Sequence, residues 1–351
     1  MSKFLVRAPS NIALVKYMGK IDSSLNIPEN ASVSLTLNSL CTYVELAREP
    51  GKEKSIHWTP ELPQVDAPMI PAQLSERGLK RLIRHAERVL DIAPQILRRF
   101  GITQFREESN FYLKSANTFP AASGIASSAS SFAAITLAMT AAQAENPDRL
   151  QSAWQSEVAF RREVASLSRQ GSGSSCRSFE GPFVHWEGER AEKVDSTPNF
   201  DLAHFVVLIS KDEKSVSSSE AHLRVKSSPL WEGRIERANA RAKKVVQAIQ
   251  RGDLTALSKL AWSESWEMHS LFHTSEDPFS YWKPGSIEGL HWLAQYLSEA
   301  HPPIVTMDAG PNIHVIVRAD ERELWAKRLG EHFGLEQVLH DRPGTGAELL
   351  G

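Results

Sequence analysis

The chain has 351 residues, 41% of them hydrophobic and 23% charged, with 40 basic against 42 acidic side chains and a formal net charge of −2. That balance argues against the basic surface of a nucleic-acid or anionic-membrane binder, and the length reads as two domains. Two distant cysteines (Cys41, Cys176), no apolar leader in MSKFLVRAPS and no bilayer-length apolar run lead us to expect a cytoplasmic protein without disulfides.

In chain order, residues 3–17, KFLVRAPSNIALVKY, hold two short apolar runs broken by Pro9 and Asn11, which predicts strand, turn, strand. The second run ends in Lys16-Tyr17-Met18-Gly19-Lys20. Two ammoniums and a phenol around a glycine make either an anion cradle or a strand end with solvated lysines. Residues 25–48 alternate as a strand does, with Ser32, Ser34 and Thr36 on one face, and that face is either wet or the polar wall of a cleft. Residues 50–74 predict a strand pair with a loop. An amphipathic helix follows over 75–92, burying Leu79, Leu82, Ile83, Ala86, Val89 and Leu90, then a strand over 105–115.

The stretch 117–134, NTFPAASGIASSASSFAA, runs from a Gly/Ser/Ala loop into a helical apolar pattern. Gly124 suits a backbone that passes close to a ligand, and Ser127, Ser128 and Ser130 place hydroxyls where the helix begins. Unpartnered amides and the macrodipole make such a start a phosphate site, although ordinary capping has the same composition. Neither a Walker loop nor a dinucleotide fingerprint occurs.

A helix over 149–168, with Trp154, Val158, Val164 and Leu167 inward, leads to a second Gly/Ser loop at 169–178, RQGSGSSCRS. This is either a flexible connector or a loop from which Arg177 presents its planar fork to a carboxylate or phosphate. Strands follow in FEGPFVHWEG and in FDLAHFVVLIS, the latter buried on both faces. The polar stretch 187–200 between them, containing Pro198, is the expected boundary, dividing the chain into 1–190 and 191–351.

The second half predicts helices near 229–251, 253–274 and 286–299, a strand across 314–317, a helix after Asp320 and a loop-like end. Asp308 stands in MDAGPN, either an ordinary turn or a loop carrying a general base. His269 and His273 lie four apart without a third ligand and read as packing or surface histidines; Trp262 and Trp266 read as core. Strands and helices interleave without a regular β-α-β rhythm, so the fold class is α+β.

Taken together the motifs closely resemble the diphosphomevalonate decarboxylase family of the GHMP kinase superfamily. NIALVKYMGK resembles the family's N-I-A-x-x-K-Y-W-G-K, with Met18 for tryptophan, and IPENASVSLTL resembles I-P-x-N-x-S-x-S-x-T-L. FPAASGIASSAS is similar to F-P-T-A-A-G-L-A-S-S-A-S, with Ser123 for alanine; Thr118 stands where the family often has asparagine. RQGSGSSCRS is similar to R-x-G-S-G-S-A-C-R-S, and 306–312 match T-M-D-A-G-P-N. The matches keep the family's order across residues 8–312.

The resemblance implies a GHMP-kinase-type N-terminal α/β domain, a ferredoxin-like C-terminal domain and a cleft between them. It implies ATP-dependent phosphorylation of a tertiary 3-hydroxyl and loss of phosphate and CO2, turning mevalonate diphosphate into isopentenyl diphosphate. ATP and Mg²⁺ are the implied cofactors and a homodimer the implied assembly. The implied catalytic set is Asp308, Arg177, Asn11 and Lys16, with Asp308 the catalytic carboxylate, Arg177 holding the substrate carboxylate and Asn11 orienting Arg177. Tyr17, Lys20, Ser130 and Ser174 fall to the substrate, and Gly124, Ala126, Ser127 and Ser128 to ATP. Sister activities on the same fold remain as alternatives: decarboxylation of the monophosphate, or 3-phosphorylation alone. So does a catalytically silent binding protein.

Overall fold

The computed structural model describes residues 2–120, 127–198, 200–212 and 214–350. Its first half opens on two long strands, β1 (Ser2–Val15) and, after the short β2 (Lys20–Asp22) and β3 (Ile27–Pro28), β4 (Ser32–Pro50). There is no turn at Pro9. The strand continues through it with register shifts at Pro9/Asn11 and Ala13/Val15, because a proline lacks the ladder N–H and a bulge absorbs the loss. β5 (Ser55–Thr59) and β6 (Ile70–Pro71) precede helix α1 (Glu76–Arg99) and strand β7 (Ser109–Asn117). α1 outruns its predicted end and continues past Pro94, since Ala93, Ile96 and Leu97 still have core to bury.

Helix α2 (Ser127–Ala141) is buried nearly all round, so its composition carries no polar face. The single helix expected over 149–168 is two, α3 (Pro147–Ser156) and α4 (Val158–Arg169), broken where Glu157 turns extended. Val158, expected inward, opens α4 on the exposed side, and Phe160 takes the buried place. A 3-10 turn, Gly173–Ser178, leads to β8 (Phe183–Glu187) and β9 (Arg190–Val194). β9 pairs with β8, so a strand of the first sheet occupies part of the polar 187–200 stretch.

The second half comprises β10 (Leu202–Val207), helices α5 (Ser218–Arg224), α6 (Arg234–Arg251), α7 (Leu254–His273) and α8 (Pro284–Ala294), then β11 (Ile304–Thr306) and β12 (Ile313–Arg318). Helix α9 (Arg322–Phe333), β13 (Val338–Asp341) and β14 (Glu348–Leu349) complete it. The end is therefore not a loop: β14 pairs with β1, and Gly344 donates its amide to the Thr36 carbonyl at 2.8 Å.

An eight-stranded sheet runs in the order β14-β1-β4-β7-β5, with β6 on β7 and β8-β9 branching from β4, and a four-stranded antiparallel sheet runs β11-β12-β10-β13. One core lies between the first sheet and α1, α2 and α4. A second joins the ends of β1 and β4 to α6 and α7, which knits the two halves together. Because β1 ends at this seam, the residues after Val15 emerge where both halves meet.

Candidate active site

Residues 16–20 follow the end of β1, and their backbone is held from several sides. The amide of Lys16 donates to Glu264 Oε1 at 3.0 Å, and its carbonyl accepts from Asn30 Nδ2 at 3.0 Å and Arg234 Nη2 at 3.3 Å. The Met18 amide donates to Asn30 Oδ1 at 3.1 Å and the Gly19 amide to His222 Nδ1 at 3.1 Å. Gly19 adopts φ +76°, a left-handed value that glycine takes at little cost, and a Cβ there would lie 2.8 Å from the Trp231 ring. Glu264 and Arg234 are both wholly buried and paired, and Glu264 also pairs with Arg241.

This anchoring aims Lys16 across the seam. Its ammonium donates to Asp308 Oδ1 at 2.6 Å and to the Ala13 carbonyl at 2.6 Å. Burial lowers the Lys16 pKa, and the neighbouring Asp308 charge opposes that shift. Asp308 lies between β11 and β12, on a segment tied down from both sides. The Met307 amide donates to Ser265 Oγ at 3.2 Å, and Asn312 Oδ1 accepts from the amides of Ile209 at 2.7 Å and Ser210 at 3.0 Å.

Arg177 approaches from the 3-10 turn, fully enclosed. It donates from Nε to Asn11 Oδ1 at 3.2 Å and from Nη1 to Ser32 Oγ, and its guanidinium lies 5.5 Å from the Trp186 ring centre. Asn11 is fixed in turn, donating to Ser178 Oγ at 2.9 Å and to the Ser174 carbonyl at 3.1 Å. The β4 hydroxyls of Ser32, Ser34 and Thr36 are therefore buried rather than wet.

These residues open onto a cleft of about 430 Å³ between the halves, lined by Lys16, Tyr17, Lys20, Ser127, Ser128, Ser174, Arg177 and Asp308 among others. Tyr17 stacks edge-on against Trp186 with ring centres 4.7 Å apart, and burial pushes its phenol up to about 12, so it enters the cleft as a neutral donor. A Cβ on Gly173 would lie 2.5 Å from the Tyr17 hydroxyl, so that close approach requires glycine. Lys20 donates to Asn26 Oδ1 at 2.6 Å, and burial lowers its pKa. Ser172 Oγ donates to Ser128 Oγ at 3.3 Å, joining the two Gly/Ser loops at the cleft wall.

Of the residues singled out from sequence, Lys16, Tyr17, Lys20, Ser127, Ser128, Ser174, Arg177 and Asp308 share this one cavity, with Asn11 behind Arg177. Ser130 differs. It is wholly buried, its hydroxyl 2.7 Å from Thr42 Oγ1 and donating to the Ser127 carbonyl, so it fastens the start of α2 instead of facing the cavity. Gly124 and Ala126, like Ser123, lie outside the described residues. His269 is buried against Trp282, with ring centres 4.9 Å apart, and among the described residues no three His, Cys, Asp or Glu side chains come together as a metal site. Neither tryptophan is core: Trp262 is half-buried and packs against the core of the four-stranded sheet, and Trp266 is exposed.

Sequence reasoning missed Arg81, Lys214, Ser217–219 and His222, all on the cavity wall. Arg81 sits on an amphipathic helix read only for its apolar side, and KSVSSSEAH carries a serine run that no motif singled out. His222 lies 4.4 Å from the Tyr17 ring, and burial, then Lys20 and Lys226, lowers its pKa to about 3. It is neutral, and the Gly19 amide occupies Nδ1, so the ring proton is on Nε2.

Residues 8–197 match the family model of the diphosphomevalonate decarboxylase-like N-terminal domain, and residues 204–345 match the mevalonate 5-diphosphate decarboxylase C-terminal domain. The chain belongs to the diphosphomevalonate decarboxylase family. It is 32% identical to the diphosphomevalonate decarboxylase of Debaryomyces hansenii over 90% of this chain and 79% of that protein. Among solved structures, a mevalonate diphosphate decarboxylase from Legionella pneumophila is 37% identical with a TM-score of 0.75, covering 96% of this chain and all of its own. MDDEF in complex with MVAPP, AMPPCP and magnesium is 28% identical with a TM-score of 0.76, covering 99% of this chain and 98% of its own. The two halves matched by the family models are the two that meet at the cleft. Among the described residues no helix is long and apolar enough to cross a membrane.

Proposed function

We propose that the cleft converts mevalonate 5-diphosphate and ATP into isopentenyl diphosphate, ADP, phosphate and CO2 through 3-phosphorylation, a step of isoprenoid biosynthesis. The observation that carries this reading is a single cavity with the Lys16–Asp308 pair, the enclosed Arg177 and the Tyr17/Lys20 donors on its wall.

In this reading Asp308 accepts the proton of the 3-hydroxyl as that oxygen bonds to the γ-phosphorus and the bond to ADP breaks. The C3–O bond then breaks with release of phosphate, the C1–C2 bond electrons form the C2=C3 double bond, and CO2 leaves. Arg177, oriented by Asn11, holds the carboxylate until then. Lys16 balances the charge of Asp308, Tyr17 and Lys20 take the diphosphate with Ser174 nearby, and Ser127 and Ser128 take ATP phosphates at the start of α2. The Ser127 and Ser128 hydroxyls and the Asp308 carboxylate are oxygen donors of the kind Mg²⁺ takes. Bound with ATP, that ion neutralises developing phosphate charge.

We divide the work between an N-terminal unit, 1–190, carrying the phosphate loop and a C-terminal unit, 191–351, carrying Asp308. The two cysteines are free and buried, which supports a cytoplasmic setting. The decisive measurement is CO2 release from mevalonate carrying zero, one or two phosphates. Turnover of the diphosphate alone is the expected result. A preference for the monophosphate, or 3-phosphorylation without CO2, replaces this reading with a sister activity.

A further inference from the structure

Helix α7 reaches both members of the Lys16–Asp308 pair. Glu264 accepts the Lys16 amide at 3.0 Å, and the next residue, Ser265, accepts the Met307 amide on its hydroxyl at 3.2 Å. His269 stands four residues after Ser265, one turn along the same face, and so meets the chain as it passes from Met307 to Asp308. Its neighbour Met268 lines the cleft together with Asp308.

His269 is wholly buried. Its ring stacks on Trp282 with centres 4.9 Å apart and planes at 27°, and Phe272 meets it edge-on at 5.3 Å. Among the described residues neither ring nitrogen has a partner at hydrogen-bond geometry. Burial, then the charges of Lys16 and His273, holds the ring neutral, and the Asp308 carbonyl is near enough to act in the opposite direction. A neutral imidazole still carries one N–H, and burying that donor without an acceptor costs stability that a phenyl ring in the same slot does not. Packing therefore accounts for the ring but not for its nitrogens. The acceptor within reach is the Asp308 carbonyl, which takes the Gly310 amide at 2.7 Å and has a second lone pair to offer.

We propose that His269 is a positioning residue: its ring N–H is the donor for the Asp308 carbonyl, and that contact, completed by a small adjustment of the 307–310 segment, fixes where the Asp308 carboxylate points. The need is visible in the pair itself. The Lys16 side chain is 3% exposed and closely held, whereas that of Asp308 is 21% exposed and has room to turn on the cleft side. A base must lie within hydrogen-bond reach of the proton it takes, so a carboxylate with that freedom depends on a fixed backbone. The kinetic consequence rests on the function proposed above; the placement of Asp308 does not.

The test compares His269→Phe, which keeps the stacked ring without its nitrogens, with His269→Asn and His269→Gln, whose amides place a donor near Nδ1 and Nε2 respectively. The phenylalanine variant should lose roughly tenfold or more in kcat on mevalonate diphosphate, with the KM values for substrate and ATP little changed and the urea midpoint level or higher. One of the two amide variants should recover most of that kcat. Unchanged kcat in the phenylalanine variant would overturn the role, as would a fall in kcat that follows the urea midpoint down and that neither amide restores. Crystal structures of the unliganded wild type and phenylalanine variant read the same role without turnover. Asp308 should leave its 2.6 Å contact with Lys16 in the variant alone, and superposable Asp308 side chains would overturn the proposal. Failure of the wild type to turn over mevalonate diphosphate would instead unseat the function proposed above and leave that structural comparison intact.

Discussion

Replacing Glu264 by glutamine tests how the cleft lysine, Lys16, is held. Both Glu264 and Arg234 are 0% exposed, Arg234 donates to it from two nitrogens, Arg241 pairs with it, and the same carboxylate accepts the Lys16 amide. Glutamine keeps the shape and one acceptor but strands the Arg234 charge. Breaking a buried pair costs about 3–5 kcal/mol, and Glu267, 3.3 Å from Arg234, retains some compensation, which puts the expected loss near ~3 kcal/mol. Urea unfolding reads that loss directly. Steady-state kinetics should show a lower kcat with the KM for ATP little changed, since the Lys16 peptide loses a charged anchor while the start of α2, where ATP is proposed to bind, is untouched. The double variant Glu264→Leu/Arg234→Met removes both charges and should recover much of the stability without recovering kcat. Full recovery of kcat in that double variant would refute the positioning role and leave a purely structural pair.

Three further outcomes are expected. Asp308→Asn should lower kcat by roughly 10²–10⁴ with substrate affinity changed much less, and single turnover with γ-labelled ATP should show no 3-phospho intermediate; its formation at the wild-type rate would remove Asp308 from the first step. Lys20→Ala should raise the KM for the diphosphate substrate by about tenfold to hundredfold at constant ATP affinity, and equal weakening of both would move Lys20 to the nucleotide. Burial holds His85 neutral with a pKa lowered to about 3, so the unfolded chain takes up its proton first as pH falls below the ordinary 6.5. Its stabilisation is present above that value and drains away toward pH 3 by up to about 1.4 kcal/mol per pH unit, so His85→Gln should flatten urea midpoints measured between about pH 6 and 4.5.

Much of the site was legible because it is local. Lys16 to Lys20, the serines at 127 and 128, and the 173–178 turn each present their chemistry within a few consecutive residues, so composition and order suffice to find them. The rest depends on contacts across the fold. Asn30 bridges Lys16 and Met18, Arg234 and Glu264 grip the Lys16 peptide from helices more than 200 residues away, and His222 caps the Gly19 amide. Arg234, Glu264 and His222 have no local pattern that sets them apart from solvated polar residues, and Asn30, although it stands in the I-P-x-N motif, carries no local sign of what it bonds. Ser130 failed for the opposite reason. Its hydroxyl fits the local motif, but two residues of helical rotation separate an exposed Ser128 from a side chain closed over by Thr42. In the fold, the interruption at Pro9 and Asn11 predicts a turn, whereas β4 is long enough to pair with β1 on both sides of the bulge.

The arrangement around Asp308 also bears on why a lysine sits against the proposed base. The Lys16 ammonium is buried, and among the described residues its one hydrogen-bond partner besides Asp308 is the neutral Ala13 carbonyl. Before reaction the two charges cancel, so the enclosed end of the cleft carries no net charge from this pair. Once Asp308 takes up the hydroxyl proton, the ammonium loses its ionic partner in surroundings that penalise a lone charge. The new negative charge on the phosphorylated substrate then becomes the nearest compensation, and Lys16 passes from stabilising the base to stabilising the product of its action. An ammonium suits this exchange better than a guanidinium, because a compact point charge on a flexible stem can follow its partner, whereas a planar fork is committed to one geometry. Arg177, braced by Asn11 and Ser32, has that fixed geometry, which suits the role proposed for it of holding one carboxylate in one orientation until its carbon leaves.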